Sequence, residues 1–158
     1  MRLTRSWHLS TLLFGILVAV GGCRDEAGVP LDETPPPDAA EGLELQFGVQ
    51  EATYAPGDTI RAIIRVANRT SEPRTLEFSS SQRFDVILLD STEAPVHSWS
   101  ADKSFAQGIG VETLEVGGEL VYDVLMIAPD SAGGYTLKGA ITATDVVLES
   151  SLPIVIDG

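Results

Sequence analysis

The stretch Leu76–Leu88 reads LEFSSSQRFDVIL and decides how the rest of the chain is interpreted. Its first residues alternate between apolar and polar, with Leu76 and Phe78 on one face, as in a half-buried strand. Three serines interrupt this pattern, and a second strand begins at Phe84 that is apolar on both faces from Val86 to Leu89, as in a central sandwich strand. The polar residues between the two strands need hydrogen-bond partners if they are buried. We therefore expect two strands joined by a bend that polar side chains hold in place.

Outside this stretch, residues 43–158 repeat a pattern of short strands and turns without a helical period. Pro56 and Gly57 have the chemistry of a turn, and Gly117-Gly118 predicts a tight hairpin. Pro153 favours a place near the edge or end of a sheet. About eight or nine short strands predict an all-β fold, an immunoglobulin-like antiparallel β-sandwich. An up-and-down barrel is the alternative closure. The other predicted strands are 43–49, 59–67, 96–99, 111–116, 120–127, 135–144 and 146–156.

The N-terminal residues have the layout of a secretory signal peptide. Two arginines precede an apolar segment, Leu9–Val20, that is too short to be a membrane-spanning helix. Small residues then precede Cys23, the only cysteine, and this junction resembles the lipobox of bacterial lipoproteins. The resemblance implies acylation of Cys23, whereas ordinary cleavage would leave a free thiol. Arg24 after the cysteine favours the outer membrane over the inner one.

A proline-rich segment separates the cysteine from the predicted sandwich. Residues 24–42 contain four prolines and no hydrophobic period, which is typical of a disordered linker. The chain therefore divides into a signal peptide at 1–22, a lipidated cysteine with its linker at 23–42, and a folded head at 43–158. This organisation predicts a lipid-anchored protein of the cell envelope, with the head in the periplasm or outside the cell.

The charge of the chain limits its partners. The formal net charge is −13, and without Arg2 and Arg5 the chain keeps eight basic and 23 acidic side chains. Nucleic acid and anionic lipid surfaces both attract the opposite sign, so this balance argues against either as a partner. A basic protein partner, or simple solubility, agrees with the charge.

The sequence has few of the residues that catalysis or metal binding would need. His97 is the only histidine after the predicted signal peptide, so no second histidine or thiol is present for a transition-metal site. No Gly-x-Ser-x-Gly motif occurs, and His97 on a short strand is expected to face solvent. We predict no catalytic residues, no metal and no cofactor, although a pair of carboxylates for glycoside hydrolysis stays open.

Several elements occur in an order that resembles the intracellular proteinase inhibitor (BsuPI) family, from about Leu45 to Ile127. The matching signature residues are Tyr54, Gly57, Asn68, Phe78, Ser80, Gln82, Phe84, Asp85 and Tyr122. A Trp99-Ser100 pair, a Phe105-x-Gln107 motif and Leu114 with the following glycines continue the pattern. Two departures are Ser81 in place of a usual glycine and Phe84 in place of a usual tyrosine. The resemblance implies a sandwich that inhibits a protease, with the signature residues in structural roles.

An inhibitor of this kind needs an exposed, stiff loop that fits a substrate cleft. The candidate segments are Ser98–Gln107 and Ser79–Arg83. Aromatic side chains could anchor the contact and an arginine could add a charge. Alternatively, Trp99 packs in the core, Phe105 seals the end of the sandwich, and only Ser100–Lys103 is freely presented. The candidate partner-binding residues are Arg83, Ser98, Trp99, Ser100, Asp102, Lys103, Phe105 and Gln107.

Three functions are compatible with these features. The first is a lipid-anchored envelope protein that binds and inhibits a serine protease of the subtilisin type, outside the cytoplasm. The second is an envelope interaction module that uses the same sandwich without blocking an active site. The third, an envelope hydrolase, has the least support from the sequence.

Overall fold

The computed structural model describes residues 42–158 of the chain. The predicted signal peptide, Cys23 and nearly all of the predicted linker lie outside these residues. The described part is built from strands, which confirms the all-β prediction, and no helix within it is long and apolar enough to cross a membrane. The ten strands are β1 (Leu43–Val49), β2 (Thr53–Tyr54), β3 (Thr59–Asn68), β4 (Arg74–Ser80), β5 (Phe84–Leu89), β6 (Pro95–Ser98), β7 (Gln107–Leu114), β8 (Glu119–Ile127), β9 (Gly133–Ile141) and β10 (Leu148–Ile156).

The strands form three sheets that enclose one apolar core. The first has the order β1-β3-β8, the second β2-β10-β9-β5-β6, and the third consists of β4 and β7. All pairs are antiparallel except β2 with β10. This arrangement confirms the predicted immunoglobulin-like sandwich.

Alternation along the strands places the apolar side chains in the core. Ile60 and Ile64 on β3 face inward, as do Val86 and Leu88 on β5, and all four are fully buried. Burial of each such side chain contributes about 1.5–3 kcal/mol. The core also contains Leu76, Phe78, Leu114, Leu137, Ile154 and Ile156.

The two strands of the deciding stretch belong to different sheets. β4 pairs with β7, and its ladder is interrupted between Phe78 and Ser80. β5 begins at Phe84 and pairs with β9 and β6. The predicted bend is therefore the place where the chain crosses from one sheet to another. Residues 81–83 make this crossing.

The predicted hairpin at Gly117-Gly118 is wrong. A turn does form, with Gly117 at a φ of 72° and Gly118 N–H donating to the Glu115 carbonyl over 2.8 Å. However, β7 pairs with β4 and β8 pairs with β3, so the turn joins strands of different sheets. The positive φ explains why glycine is favoured here.

Asn68 is the buried polar side chain of the described core. Its Nδ2 donates to the carbonyls of Glu72, Leu114 and Glu115 over 2.8, 3.0 and 3.2 Å. Its Oδ1 accepts from the amide and hydroxyl of Thr70. Because every hydrogen-bonding group of the amide is used, its burial is tolerated. The side chain fastens the β3–β4 loop to the β7–β8 turn.

The packing of β9 on β1 yields a test of the core. A Cβ on Gly139 would lie 2.6 Å from the Phe47 ring, whereas a Cβ on Gly134 of the same strand would meet nothing within 4 Å. We expect Gly139→Ala to lower the free energy of unfolding by about 1–3 kcal/mol, as overpacking does. Gly134→Ala should leave it unchanged or raise it by up to about 1 kcal/mol. Urea denaturation of both variants checks this, and equal effects would contradict the packing.

Candidate functional site

The structure brings the two predicted contact segments together. Ser81 N–H donates to the Ala106 carbonyl over 2.9 Å, and Ala106 N–H donates to Ser81 Oγ over 3.0 Å. Ser80 is also paired with Gln107 at the start of β7. Residues 79–83 and 98–107 therefore form one surface at an end of the sandwich, here called the loop end.

The carboxylate of Asp85 holds the base of the 98–107 loop. Its Oδ2 accepts a hydrogen bond from Ser100 Oγ over 2.6 Å. Its Oδ1 accepts from the amides of Ser100 and Val86 over 3.2 and 2.9 Å. Hydrogen bonds to an ionised acceptor are about twice as strong as neutral ones. This signature residue thus ties the loop to β5.

An aromatic cluster lies under the same loop. The rings of Phe84 and Trp99 have centroids 4.4 Å apart, and those of Phe84 and Tyr122 are 4.7 Å apart. Phe105 packs against Trp99 at 6.2 Å. Phe84, Trp99 and Tyr122 are partly buried against the core. Trp99 and Phe105 therefore lie under the loop and support it.

The guanidinium of Arg83 is directed inward. It lies 4.5 Å from the centre of the Phe78 ring, and its Nε donates to Glu112 over 2.9 Å. Its Nη1 donates to the Ser80 carbonyl over 2.7 Å. Gly110 leaves room for this group, since a Cβ there would come within 2.6 Å of it. The charge of Arg83 is already compensated inside the protein.

The tip of the loop is exposed but not free. Ala101, Asp102, Lys103 and Ser104 face solvent. Lys103 Nζ donates to the Trp99 carbonyl over 2.6 Å and to Asp102 over 2.8 Å, and it lies 4.4 Å above the Trp99 ring. The hydrogen bond and charge of Lys103 hold the pKa of Asp102 below its usual value. The segment that was predicted to be freely presented is thus accessible at its tip, but the contacts of Lys103 hold it in place.

The remaining predicted residues have mainly local contacts. Gln82 Nε2 donates to the Phe84 carbonyl over 3.1 Å, which supports the crossing between the sheets. Tyr54 is buried with its hydroxyl accepting from the Glu51 amide, and Gly57 has a φ of 80°. Ser98 lies opposite Ile87, and Gln107 is exposed.

A groove of about 610 Å³ runs beside the loop end, between β6 and β8. Trp99, Asp102 and Lys103 line it together with Val96 and His97, which is exposed as predicted. The residues on the β8 side of the groove were not predicted from the sequence as part of a site. Strand β8 is apolar on both faces, but nothing in the sequence shows that it lies at the edge of a sheet. The residues lining that side are Thr59, Leu125, Met126, Ile127 and Pro129, with Leu88 between the two sides.

Metal-binding geometry does not appear in the described part of the chain. Within residues 42–158, no group of three or more His, Cys, Asp or Glu side chains is arranged to hold a metal ion.

The described residues thus form a β-sandwich whose exposed loop is held in place by hydrogen bonds. The chain belongs to the BsuPI family, described as intracellular proteinase inhibitor, whose family model matches residues 47–146. That description supports the prediction that the chain is not an enzyme and implies a protein partner.

The first of three similar solved structures supports the fold, and the other two are reported only as similar. The sporulation control protein Spo0M from Bacillus subtilis is 12% identical with a TM-score of 0.54, and the match covers 74% of this chain and 50% of that chain. A β-glucosidase from Listeria innocua is 13% identical with a TM-score of 0.45, covering 73% of this chain and 16% of that one. The alkylpurine DNA glycosylase AlkC from Pseudomonas fluorescens is 12% identical with a TM-score of 0.47, and the match covers 74% of this chain and 31% of that chain. Among curated proteins, none matches this chain.

The family corrects the predicted location. A cell-envelope protein with its head outside the cytoplasm conflicts with a family described as intracellular. The prediction of an envelope location was drawn from the residues that precede the folded head, so it did not use the head itself. Acylation of Cys23 stays a prediction, since that residue lies outside the described part.

The aromatic cluster predicts a dependence on alkaline pH. Burial raises the pKa of the Tyr122 hydroxyl, and the nearby Glu112 carboxylate raises it further. A group with a raised pKa in the folded state stabilises the fold at lower pH, and this contribution is lost as the pH rises above about 10. In Tyr122→Phe the unfolding free energy should therefore fall less between about pH 8 and pH 11 than in the unmodified chain.

Urea denaturation at both pH values measures this difference. At pH 8 the two proteins should agree within about 1 kcal/mol because the ring that packs on Phe84 is kept. Burial also raises the pKa of Tyr54, so part of the alkaline fall should remain in the variant. An identical fall in both proteins would show that Tyr122 ionises as freely when folded as when unfolded.

Proposed function

We propose that this chain binds and inhibits a serine protease of the subtilisin type through residues 98–107 of the loop end. The observation that carries the proposal is a loop that is exposed at its tip and tethered along its length. Asp85 fixes its start, Lys103 folds back on Trp99, and Ala106 bonds Ser81. Membership of a proteinase inhibitor family supplies the class of partner.

Stiffness matters because ordering a loop on binding costs free energy. Each rotamer-rich side chain that becomes immobilised at an interface costs about 0.5–1.5 kcal/mol. The tethers of the 98–107 loop are already formed in the free protein, so less of this cost remains when a partner binds. The same tethers would also hinder the loop from adapting to a protease and being cleaved.

Surface charge supports a partner of opposite sign. Residues 42–158 contain seven basic and 17 acidic side chains. Several of the basic groups are paired, including Arg61 with Asp123 and Arg65 with Glu119. An excess of acid groups speeds association with a basic surface, and the effect weakens as salt is added.

A second function has its own structural support. Val121, Leu125 and Ile127 on β8 are more than half exposed, and they lie on the outer face of the β1-β3-β8 sheet. Apolar side chains grouped on one exposed face are typical of interaction sites. The alternative is therefore an interaction module that recruits a partner without blocking an active site.

A titration with two matched variants tests the inhibitor. The purified full-length chain is added to subtilisin-type and trypsin-type proteases with a chromogenic peptide substrate. We expect saturable loss of turnover with the subtilisin-type enzyme. Asp102→Ala combined with Lys103→Ala should weaken inhibition at least tenfold, or about 1.4 kcal/mol, because these side chains form the loop tip.

The control replaces a similar ion pair away from the loop end. Lys138 and Glu149 are paired over 2.7 Å between β9 and β10, and their double replacement by alanine also keeps the net charge. This control should inhibit as the unmodified chain does. Unchanged turnover at high excess, or equal weakening in both double variants, would contradict the proposal. In the first case the interaction module becomes the better account.

A further inference from the structure

Strand β8 forms an open edge of its sheet. In the order β1-β3-β8 it pairs with β3 alone, over Glu119–Ile127. The facing strand β6 is likewise the outer strand of its own sheet, paired only with β5. An open edge presents backbone N–H and C=O groups that can pair with another chain.

The hydrogen-bond parity identifies the backbone groups that face this edge. In an antiparallel ladder, alternate residues direct both N–H and C=O toward the same neighbour. Ala128 N–H donates to the Asp58 carbonyl over 2.8 Å, on the β3 side. At every second residue before Ala128, namely Met126 and Val124, the backbone N–H and C=O groups also face β3. Leu125 and Ile127 therefore direct their N–H and C=O groups toward the open edge.

The groove lies along this edge. Leu125 and Ile127 line one side, while Val96 and Trp99 line the other, over about 610 Å³. That volume falls within the range of roughly 300–1,000 Å³ found for ligand clefts. The four residues of β6 span roughly 13 Å, so the groove accommodates a strand of similar length.

The floor and rim determine what kind of segment would fit. Leu88 and Met126 are buried and line the floor, which suits apolar side chains at alternate positions of a strand. Asp102 and Lys103 on the rim are already paired with each other. The acidic excess of the surrounding domain favours basic residues at the ends of the segment.

We propose that β8 accepts an extended peptide segment of a partner protein as an added strand, held between Leu125 and Trp99. Backbone hydrogen bonds from Leu125 and Ile127 supply affinity, and the apolar floor selects alternate side chains. A second copy of the chain fits less well. Its whole sheet would have to follow β8 outward into the space that β6 and the 98–107 loop occupy. The inference does not depend on inhibition, because it rests on the open edge of β8 and the groove floor, although Asp102 and Lys103 of the loop tip line the rim of the groove.

A labelled heptapeptide tests the proposal on the purified full-length chain. The probe is fluorescein-labelled Lys-Val-Thr-Val-Thr-Val-Lys, which has valine at alternate positions and basic ends. We expect saturable binding by fluorescence anisotropy. The same peptide N-methylated at its valines and threonines keeps its side chains but loses its backbone donors in either strand direction, so its affinity should be at least tenfold lower.

Two variants localise the binding. Leu125→Lys puts a charge at the open edge of β8 and should lower the affinity for the peptide at least tenfold. Ile109→Lys changes the most exposed large apolar side chain of the described residues, 88% exposed on β7 outside the groove, and should leave affinity unchanged. By NMR, saturating peptide should slow amide hydrogen exchange of Leu125 and Ile127, whereas Val124 and Met126 should be protected already.

Three results would overturn the proposal. They are no saturable binding, equal affinity of the N-methylated peptide, and equal weakening by the two lysine variants. Sedimentation of the free chain as a dimer that Leu125→Lys dissociates would instead assign the edge to a second copy. Protease inhibition by the same preparations is measured separately, so either proposal can fail while the other stands.

Discussion

The site depends on the carboxylate of Asp85. This group lies at the second residue of β5, just after the chain has crossed between sheets, and it accepts three hydrogen bonds. Two of them come from Ser100, fifteen residues further along the chain. The start of β5 and the base of the 98–107 loop are therefore fixed relative to each other. The aromatic packing of Trp99 on Phe84 strengthens the same connection from the apolar side.

Asn68 has a comparable role in the body of the sandwich. Both residues use a polar side chain to bind the backbone of a distant segment, and both are among the residues from which the resemblance to the family was predicted. A buried or partly buried polar group stabilises the fold only when all of its hydrogen bonds are formed. Substitution of such a residue is therefore expected to lower the free energy of unfolding. The loop end and the β7–β8 turn are thus held by polar contacts, while the apolar core holds the sheets together.

Local chemistry explains what the sequence could predict. The three serines and the flanking apolar alternation located the bend and both strands around it. The same kind of reasoning failed at Gly117-Gly118, because glycines specify a turn but not which strands pair on either side of it. The β8 wall of the groove was missed for a related reason. A strand that is apolar on both faces is typical of a central position, and only tertiary pairing reveals that β8 lies at an edge.

The central claim is that the loop end makes the contact with a protease. The most direct measurement is amide hydrogen exchange of the full-length chain, alone and with a saturating, active-site-blocked subtilisin-type protease. The account predicts that slowed exchange is concentrated in residues 79–83 and 98–107, with β1 and β10 unchanged. Slowed exchange confined to other surfaces, or no change at saturation, would contradict it.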